Sequence, residues 1–312
     1  MKFKKIIIQF DDSNPVLAEE LICNIFFSFN LKGVVCDVPL YEEDKPDEVF
    51  DLDTIARHEV NSITGFLPLI DSSESILEQI KEKALDLIRF DINVNIKTEI
   101  IDEKDWSESW KNYFEVTKIT DRITIKPEWK DHIAKENEIV IHLDPGMAFG
   151  TGTHPTTYMC LRLMETFLEP GSDFLDIGTG SGILMITAAK LGAKSITGID
   201  NDEVAVKVAG QNLKRNSIAS TEFSLECATL ERMDIKKYDF IAANIIAQVI
   251  VDIMPEISKR MTKDTITILS GIIKERQNEV LTSLGTHSLD IIHEEYVDEW
   301  VALAIRKKSS IL

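Results

Sequence analysis

The stretch Phe174-Leu175-Asp176-Ile177-Gly178-Thr179-Gly180-Ser181-Gly182 decides the fold, because it reads as a buried strand, a glycine turn and the start of a helix. Glycines at such a turn let the backbone pass close to a ligand, and the helix start offers unpaired N–H groups. An acid that binds ribose is expected after the next strand, and Asp200 follows Gly178 by roughly the 20 residues this requires. The spacing predicts a nucleoside site, although a tight turn without ligand has the same glycines.

The glycine spacing also bears on which nucleoside binds. The dinucleotide pattern GxGxxG is absent, because Ile183 occupies the position of its last glycine and the loop reads GxGxG instead. S-Adenosylmethionine has no pyrophosphate to seat. The loop therefore favours S-adenosylmethionine over NAD.

Around this loop, residues 141–312 alternate between apolar strands and amphipathic helices, which predicts a largely parallel, doubly wound α/β sheet. The last two strands have no helix between them, so we expect them to pair antiparallel at one edge. The strands are expected at 173–176, 195–200, 223–227, 240–243, 265–270, 289–294 and 301–306, and the helices at 156–167, 183–191, 203–216, 246–261 and 274–284.

Residues 1–101 have a different pattern, whose order β-α-β-β-α-β is typical of a small ferredoxin-like α+β domain. Within them, Glu42–Asp53 carries seven acidic residues and is expected to be a loop. Residues 102–140 are rich in Trp and end in the apolar run Ile123–Lys126, Pro127 and a polar stretch. We expect them to connect the two domains.

The net charge limits the classes of partner. The 312 residues include 34 Lys and Arg against 53 Asp and Glu, a formal charge of −19. Such a surface repels phosphate backbones, so we expect no direct nucleic-acid binding and look to basic proteins as partners. Residues 1–100 alone hold ten basic and twenty acidic residues. This acidity either solubilises the domain or steers a lysine-bearing protein substrate toward it.

Cysteine spacing and hydropathy bear on the compartment. The four cysteines form no CxxC pair and the six histidines show no clustered ligand pattern, so neither a disulfide framework nor a metal site is predicted. The apolar stretch Phe240–Met254 is interrupted by Asn244, Gln248 and Asp252 and is too polar to span a membrane. We expect a cytoplasmic protein without membrane attachment.

Two further segments bring polar groups toward the expected site. The segment DPGMAFGTGTHPTT (144–157) has three glycines, and its Thr153 and Pro155 suit the cap and first turn of the next helix. A cap alone does not need the remaining groups, so we expect this loop to touch ligand. Asn244 ends a strand at the carboxyl edge of the sheet, where it can cap the next helix with its backbone while its side-chain oxygen accepts a hydrogen bond from a substrate amine.

Taken together, these segments resemble the PrmA methyltransferases, which modify ribosomal large-subunit protein eleven. The resemblance is specific from about residue 102 to 307 and only architectural over 1–100. Its two departures touch no chemistry: Ile246 replaces a common Leu, and Pro127-Glu128-Trp129 replaces Pro-Ser-Trp. The motifs that carry the resemblance are DPGMAFGTGTHPTT (144–157), FLDIGTGSGIL (174–184), GID (198–200), ANIIA (243–247) and EWVALAIRK (299–307).

The resemblance implies a class I, seven-stranded, Rossmann-like methyltransferase domain preceded by a ferredoxin-like substrate-recognition domain. It also implies methyl transfer from S-adenosylmethionine to lysine side chains and the N-terminal α-amine of the ribosomal protein. Four positions, Thr157, Gly178, Asp200 and Asn244, match cofactor-binding positions of the family. With the rest of the glycine loop, the residues expected to bind cofactor are Thr157, Gly178, Thr179, Gly180, Asp200 and Asn244.

No dedicated base accompanies Asn244, so we expect catalysis by positioning. Asn244 is the expected catalytic residue and orients the amine, while the 144–157 loop closes over the methionine end of the cofactor. The turn is not Asn-Pro-Pro-Tyr, the form used on planar nitrogens, which favours an sp³ amine as acceptor. Three alternatives stay open: a lysine methyltransferase for another protein, a small-molecule methyltransferase, and a nonenzymatic cofactor-binding regulator.

Overall fold

In the chain's computed structural model two units are distinguished, Met1–Phe114 and Glu115–Leu312, and each is described by itself. The residues that the structure describes are 2–10, 15–29, 31–37, 61–69, 73–102, 116–143 and 154–308.

The first unit has the predicted ferredoxin-like order of elements. Its four strands form one antiparallel sheet in the order β2-β3-β1-β4. A 3-10 turn, Asp86–Phe90, continues the second helix. The elements are β1 (Lys2–Phe10), α1 (Pro15–Ser28), β2 (Lys32–Asp37), β3 (Ser62–Pro68), α2 (Ser73–Leu85) and β4 (Val94–Asp102).

Alternation along β1 gives this unit its own core. Residues two apart on a strand share a face, so Ile6, Ile8 and Phe10 point together toward the helices. Ile22 of α1 and Ile80 of α2 pack in the same cluster, and both are fully buried. The acidic segment Glu42–Asp53 lies outside the described residues.

The second unit begins with a small sheet that the sequence analysis did not anticipate. Strands β5 (Thr117–Lys118), β6 (Ile123–Pro127) and β7 (Ile139–Leu143) pair in that order, β5 with β6 antiparallel and β6 with β7 parallel. The side chain of Asn216 fixes β7, because its Oδ1 accepts the His142 N–H at 2.9 Å and its Nδ2 donates to His142 O at 2.6 Å.

The main sheet confirms the predicted α/β architecture of a class I, Rossmann-like domain. Its order is β10-β9-β8-β11-β12-β14-β13, in which the first five strands are parallel. As expected, the last two strands run antiparallel at one edge. The elements are α3 (Pro155–Phe167), β8 (Asp173–Ile177), α4 (Ile183–Lys190), β9 (Ser195–Asp200), α5 (Glu203–Arg215), β10 (Phe223–Cys227), β11 (Tyr238–Asn244), α6 (Ala247–Arg260), β12 (Met261–Ile273), α7 (Gln277–Thr286), β13 (Leu289–Val297) and β14 (Trp300–Lys307).

This strand order determines where a ligand binds. The chain steps from β8 outward through β9 and β10, then returns to the other side of β8 with β11 and β12. Open α/β sheets bind ligands at the carboxyl ends of the strands, where the order reverses. That point lies between β8 and β11, whose ends lead into Gly178 and Asn244.

One face of α6 packs against β11 and β12. Ile250, Met254 and Ile257 recur at helical spacing and are fully buried against Ile241 of β11 and Leu269 of β12. Within the part of the chain that the structure describes, no helix is long and apolar enough to cross a membrane.

Arg260, the last residue of α6, is fully buried. Its Nη2 donates to the carbonyl oxygens of Leu230 and Met233 at 2.8 and 2.7 Å. Its Nη1 donates to Glu256 at the backbone oxygen, at 3.1 Å, and at Oε2, at 2.8 Å. The guanidinium thus ties the turn that follows β10 to the helix that follows β11.

We expect Arg260→Met to lower the free energy of unfolding by roughly 2–4 kcal/mol, because it removes a fully buried guanidinium that donates to the backbone oxygens of Leu230, Met233 and Glu256. Urea denaturation followed by circular dichroism measures the change. Arg306→Met, at an exposed position of β14, is the control and should stay within about 0.5 kcal/mol of the parent. Equal stability of the Arg260 and Arg306 variants would show that the buried contacts contribute nothing.

Candidate active site

The loop after β8 turns back on itself through three left-handed glycines. Gly178, Gly180 and Gly182 have φ values of 74°, 53° and 81°. The N–H groups of Gly178 and Thr179 both donate to Ile199 O of the neighbouring strand, at 2.9 and 3.0 Å. Residues other than glycine rarely adopt this backbone conformation, which explains the GxGxG pattern.

Asp200 meets this loop from the end of β9, as the sequence spacing predicted. Its Oδ2 accepts the Gly180 N–H at 2.9 Å, and its Oδ1 accepts the Asp202 N–H at 3.0 Å. Burial raises the pKa of Asp200 above its usual value, and the backbone N–H donors of Asp202 and Gly180 act in the opposite direction. The carboxylate is therefore held in one orientation beside the glycines.

Asp176 is a second carboxyl group here, which lies in the loop motif but is not among the residues predicted for the site. It is 1% exposed, and its Oδ2 accepts the Thr179 hydroxyl at 2.8 Å. Its Oδ1 is buried and has no partner among the described residues. Burial raises the pKa of Asp176 to about 7. The hydrogen bond from Thr179 acts to lower this pKa, and the charge of Asp200 acts to raise it. An acid among the buried apolar residues Phe174, Leu175 and Ile177 was the available signal.

Asn244 and Thr157, far apart in sequence, are joined by a hydrogen bond at the same edge. Asn244 Nδ2 donates to Thr157 Oγ1 at 3.2 Å, and Thr157 is fully buried in the first turn of α3. Within the described ranges, no donor reaches Asn244 Oδ1. The amide is thereby oriented with its carbonyl oxygen as the remaining acceptor.

The two expected helix caps are corrected by the structure. Asn244 does not cap α6, because the N–H of Ile245 donates to Ser270 O at 3.1 Å and Ile246 becomes the N-cap. The cap of α3 is His154 instead of Thr153, and its side chain accepts from the Thr156 N–H. Most of the expected ligand loop, residues 144–153, lies outside the described residues.

The predicted site residues converge at the point where the strand order reverses. The Gly180 N–H donates a hydrogen bond to Asp200, and the Asn244 amide donates one to Thr157. Gly178 packs against Ile245, the residue after Asn244. Two carboxylates, a glycine loop and one oriented amide thus share the carboxyl edge. This chemistry suits a ligand that combines ribose hydroxyls with positive charge.

Comparisons with known proteins point to one family. The family model described as "Ribosomal protein L11 methyltransferase (PrmA)" matches residues 6–308. A protein named ribosomal protein L11 methyltransferase in Desulforapulum autotrophicum is 48% identical over 303 residues, 97% of this chain and 98% of the relative. Another of that name, from Desulfosudis oleivorans, is 38% identical over 97% of each chain.

A solved structure agrees with these matches. The crystal structure of ribosomal protein L11 methylase from Lactobacillus delbrueckii subsp. bulgaricus superposes with a TM-score of 0.59 at 32% identity, covering 62% of this chain and 100% of that one. Because the family match begins at residue 6, it extends the likeness into the first unit, where the sequence analysis found only architecture in common.

We expect Gly178→Ala to destabilise the protein by roughly 2 kcal/mol more than Gly171→Ala. Both glycines have positive φ, 74° and 87°. A Cβ on Gly178 would collide with Ile245 Cγ2, whereas a Cβ on Gly171 meets no described atom within 4 Å. The pair therefore separates the collision from the backbone strain. If thermal unfolding shows that Gly178→Ala and Gly171→Ala lose equal stability, Ile245 does not pack against the loop as described.

The buried carboxyl group of Asp176 should make stability fall as the pH rises. The folded chain keeps this proton up to about pH 7, whereas an unfolded chain releases it near the ordinary pKa of 3.8, so folding binds a proton between these values. We expect Asp176→Asn to remove that fall when the free energy of unfolding is measured from about pH 4 to pH 8.

The control is Asp264→Asn, at an exposed position, which should keep the parent slope. An Asp176→Asn variant with the same slope as the parent would mean that Asp176 titrates normally in the folded protein.

Proposed function

Since the chain belongs to the PrmA family of ribosomal protein L11 methyltransferases, we propose that it transfers methyl groups from S-adenosylmethionine to lysine and N-terminal amines of ribosomal protein L11. The single observation that carries the proposal is the oriented amide of Asn244 beside the glycine loop and its two carboxylates. An enzyme with this substrate works where ribosomes are assembled, so the proposal includes the cytoplasm.

The residues at the carboxyl edge fit the cofactor by charge and by hydrogen-bonding type. S-Adenosylmethionine supplies a methyl group made electrophilic by a positively charged sulfonium. Asp200 would accept hydrogen bonds from the ribose hydroxyls, and the backbone of Gly178, Thr179 and Gly180 would line the nucleoside. A cationic ligand would favour the ionised form of Asp176, whose unpartnered oxygen would then add negative charge beside it.

Asn244 would orient the acceptor amine through its side-chain carbonyl oxygen. A lysine has a reference pKa of roughly 10.4 and must become neutral before its lone pair can attack. The carbonyl oxygen of Asn244 accepts a hydrogen bond from the neutral amine and so sets the direction of that lone pair. An amide carbonyl is a poor base, so the ammonium proton leaves to water.

The first unit would recognise the protein substrate. Residues 1–100 carry twice as many acidic as basic residues, which suits a lysine-bearing partner. The proposed organisation keeps residues 1–101 as the recognition domain, 102–140 as the connector and 141–312 as the methyltransferase domain. No direct contact with nucleic acid is part of the proposal.

The test is incubation of the full chain with methyl-labelled S-adenosylmethionine and purified ribosomal protein L11, followed by mass spectrometry of the products. We expect label on lysine side chains and the N-terminal amine. Asn244→Ala should lower kcat about 100-fold with little change in cofactor Kd, because it removes the group that orients the amine. Asp200→Ala should weaken cofactor binding roughly 10- to 100-fold in calorimetry.

The control is Asn278→Ala, at an exposed position of α7, which should change neither quantity. Cofactor binding without label on ribosomal protein L11, but with label on another protein of a cell extract, would replace the proposed substrate. Label on neither would contradict a protein methyltransferase.

A further inference from the structure

We propose that Ser270, on the strand next to Asn244, is a positioning residue for methyl transfer. It holds Thr157 and Asn244 together, so that the carbonyl oxygen of Asn244 faces the acceptor amine. The inference rests on the proposed function. It concerns a residue to which neither the sequence motifs nor the family match gives a role.

Ser270 lies opposite Asn244 and hydrogen-bonds to Ile245 and Thr156, the sequence neighbours of Asn244 and Thr157. In the register of β11 and β12, Asn244 pairs with Ser270. The backbone oxygen of Ser270 accepts the Ile245 N–H at 3.1 Å, and its Oγ donates to Thr156 O at 3.1 Å. One fully buried residue therefore fixes the turn after β11 and the first turn of α3.

The hydrogen bond from the Ser270 hydroxyl links two elements that are distant in the sequence, β12 and α3. Thr156 and Ser270 are 114 positions apart in sequence, so only the packing of α3 on β12 brings them together. Both residues are buried, so water does not readily replace this contact between α3 and β12 if the hydroxyl is removed. Loss of this bond would let the first turn of α3 move relative to Asn244.

Gly271 makes the arrangement possible. Its φ is +82°, and the pairing of β12 with β14 shifts register between Leu269 and Ile272. An added Cβ on Gly271 would lie only 2.8 Å from the carbonyl carbon of Ile245. The backbone of Ile245 thus packs directly against this glycine, and Ser270 can reach the turn from the preceding position.

The consequence for the reaction follows from the orientation of one amide. An Asn side chain presents either its NH₂ or its oxygen, and in the structure Nδ2 donates to Thr157 Oγ1, which leaves the oxygen as the group presented. A neutral amine has N–H groups to donate. The network Ser270–Thr156–Thr157–Asn244 therefore presents an acceptor where the amine needs one.

The test is a double-mutant cycle on the full chain with ribosomal protein L11 and S-adenosylmethionine. Ser270→Ala should lower kcat about tenfold and leave the cofactor Kd within twofold. On an Asn244→Ala background the same change should lower kcat less than twofold, because Ser270 acts through Asn244. Additive effects would overturn the proposal.

A second pair of variants keeps the test valid if Ser270→Ala folds poorly. Thr157→Val removes the hydroxyl that accepts from Asn244 and should reproduce the tenfold loss, while Thr157→Ser keeps the hydroxyl and should restore kcat. Ser283→Ala, at a buried serine of α7, is the matched control and should be neutral in kcat. A Thr157→Val variant as active as the parent would overturn the proposal.

A readout independent of activity separates this inference from the proposed function. The side-chain amide resonances of Asn244, identified by their loss in Asn244→Ala, should exchange with deuterium more slowly than those of exposed Asn278. Ser270→Ala and Thr157→Val should remove the difference. If the parent protein fails to methylate ribosomal protein L11, the proposed function fails. An Asn244 amide that exchanges alike in all three proteins overturns the positioning role.

Discussion

The site depends on the fit of Ile245 between two glycines with positive φ. Gly178, after β8, leaves room for the Ile245 side chain, and Gly271, in β12, leaves room for its backbone carbonyl. Since β8 and β12 flank β11, this fit fixes the residue before Ile245, which is Asn244. Any larger residue at either glycine would move the amide that the proposed chemistry needs. The two glycines therefore set the geometry of the neighbouring strand β11.

A second constraint is the concentration of negative charge at this edge. Asp200 is held by two backbone N–H groups, whereas Asp176 is buried with one oxygen unpartnered. Burial raises the pKa of both carboxyl groups, and the charge of Asp200 adds to the rise in the pKa of Asp176. A cationic ligand that neutralises them would recover part of that cost, because opposite charge favours the ionised form. We therefore expect binding of a positively charged cofactor to stabilise the domain.

Most of the architecture was predictable because the signals are local. Strand β9 was predicted at its observed bounds, since a β-branched run ends at Asp200 and a helix follows at once. The small sheet of β5, β6 and β7 was missed, because a two-residue strand such as Thr117–Lys118 has no periodicity to read. The caps at Thr153 and Asn244 were wrong because tertiary contacts, such as Ile245 N–H to Ser270 O, decide which residue begins a helix. Ser270 itself was invisible, since its role arises from strand register.

The most direct test of the account is a neutron crystal structure of the protein with S-adenosylhomocysteine, the demethylated form of the cofactor, because neutrons distinguish the amide nitrogen from the amide oxygen. We predict that the Asp200 carboxylate contacts both ribose hydroxyls and that Asn244 Oδ1 faces the space beyond the sulfur, with Nδ2 still on Thr157. A ligand bound away from the glycine loop would contradict the account. So would a complex in which Asn244 Oδ1 turns toward Thr157, because the amide would then offer the amine no acceptor.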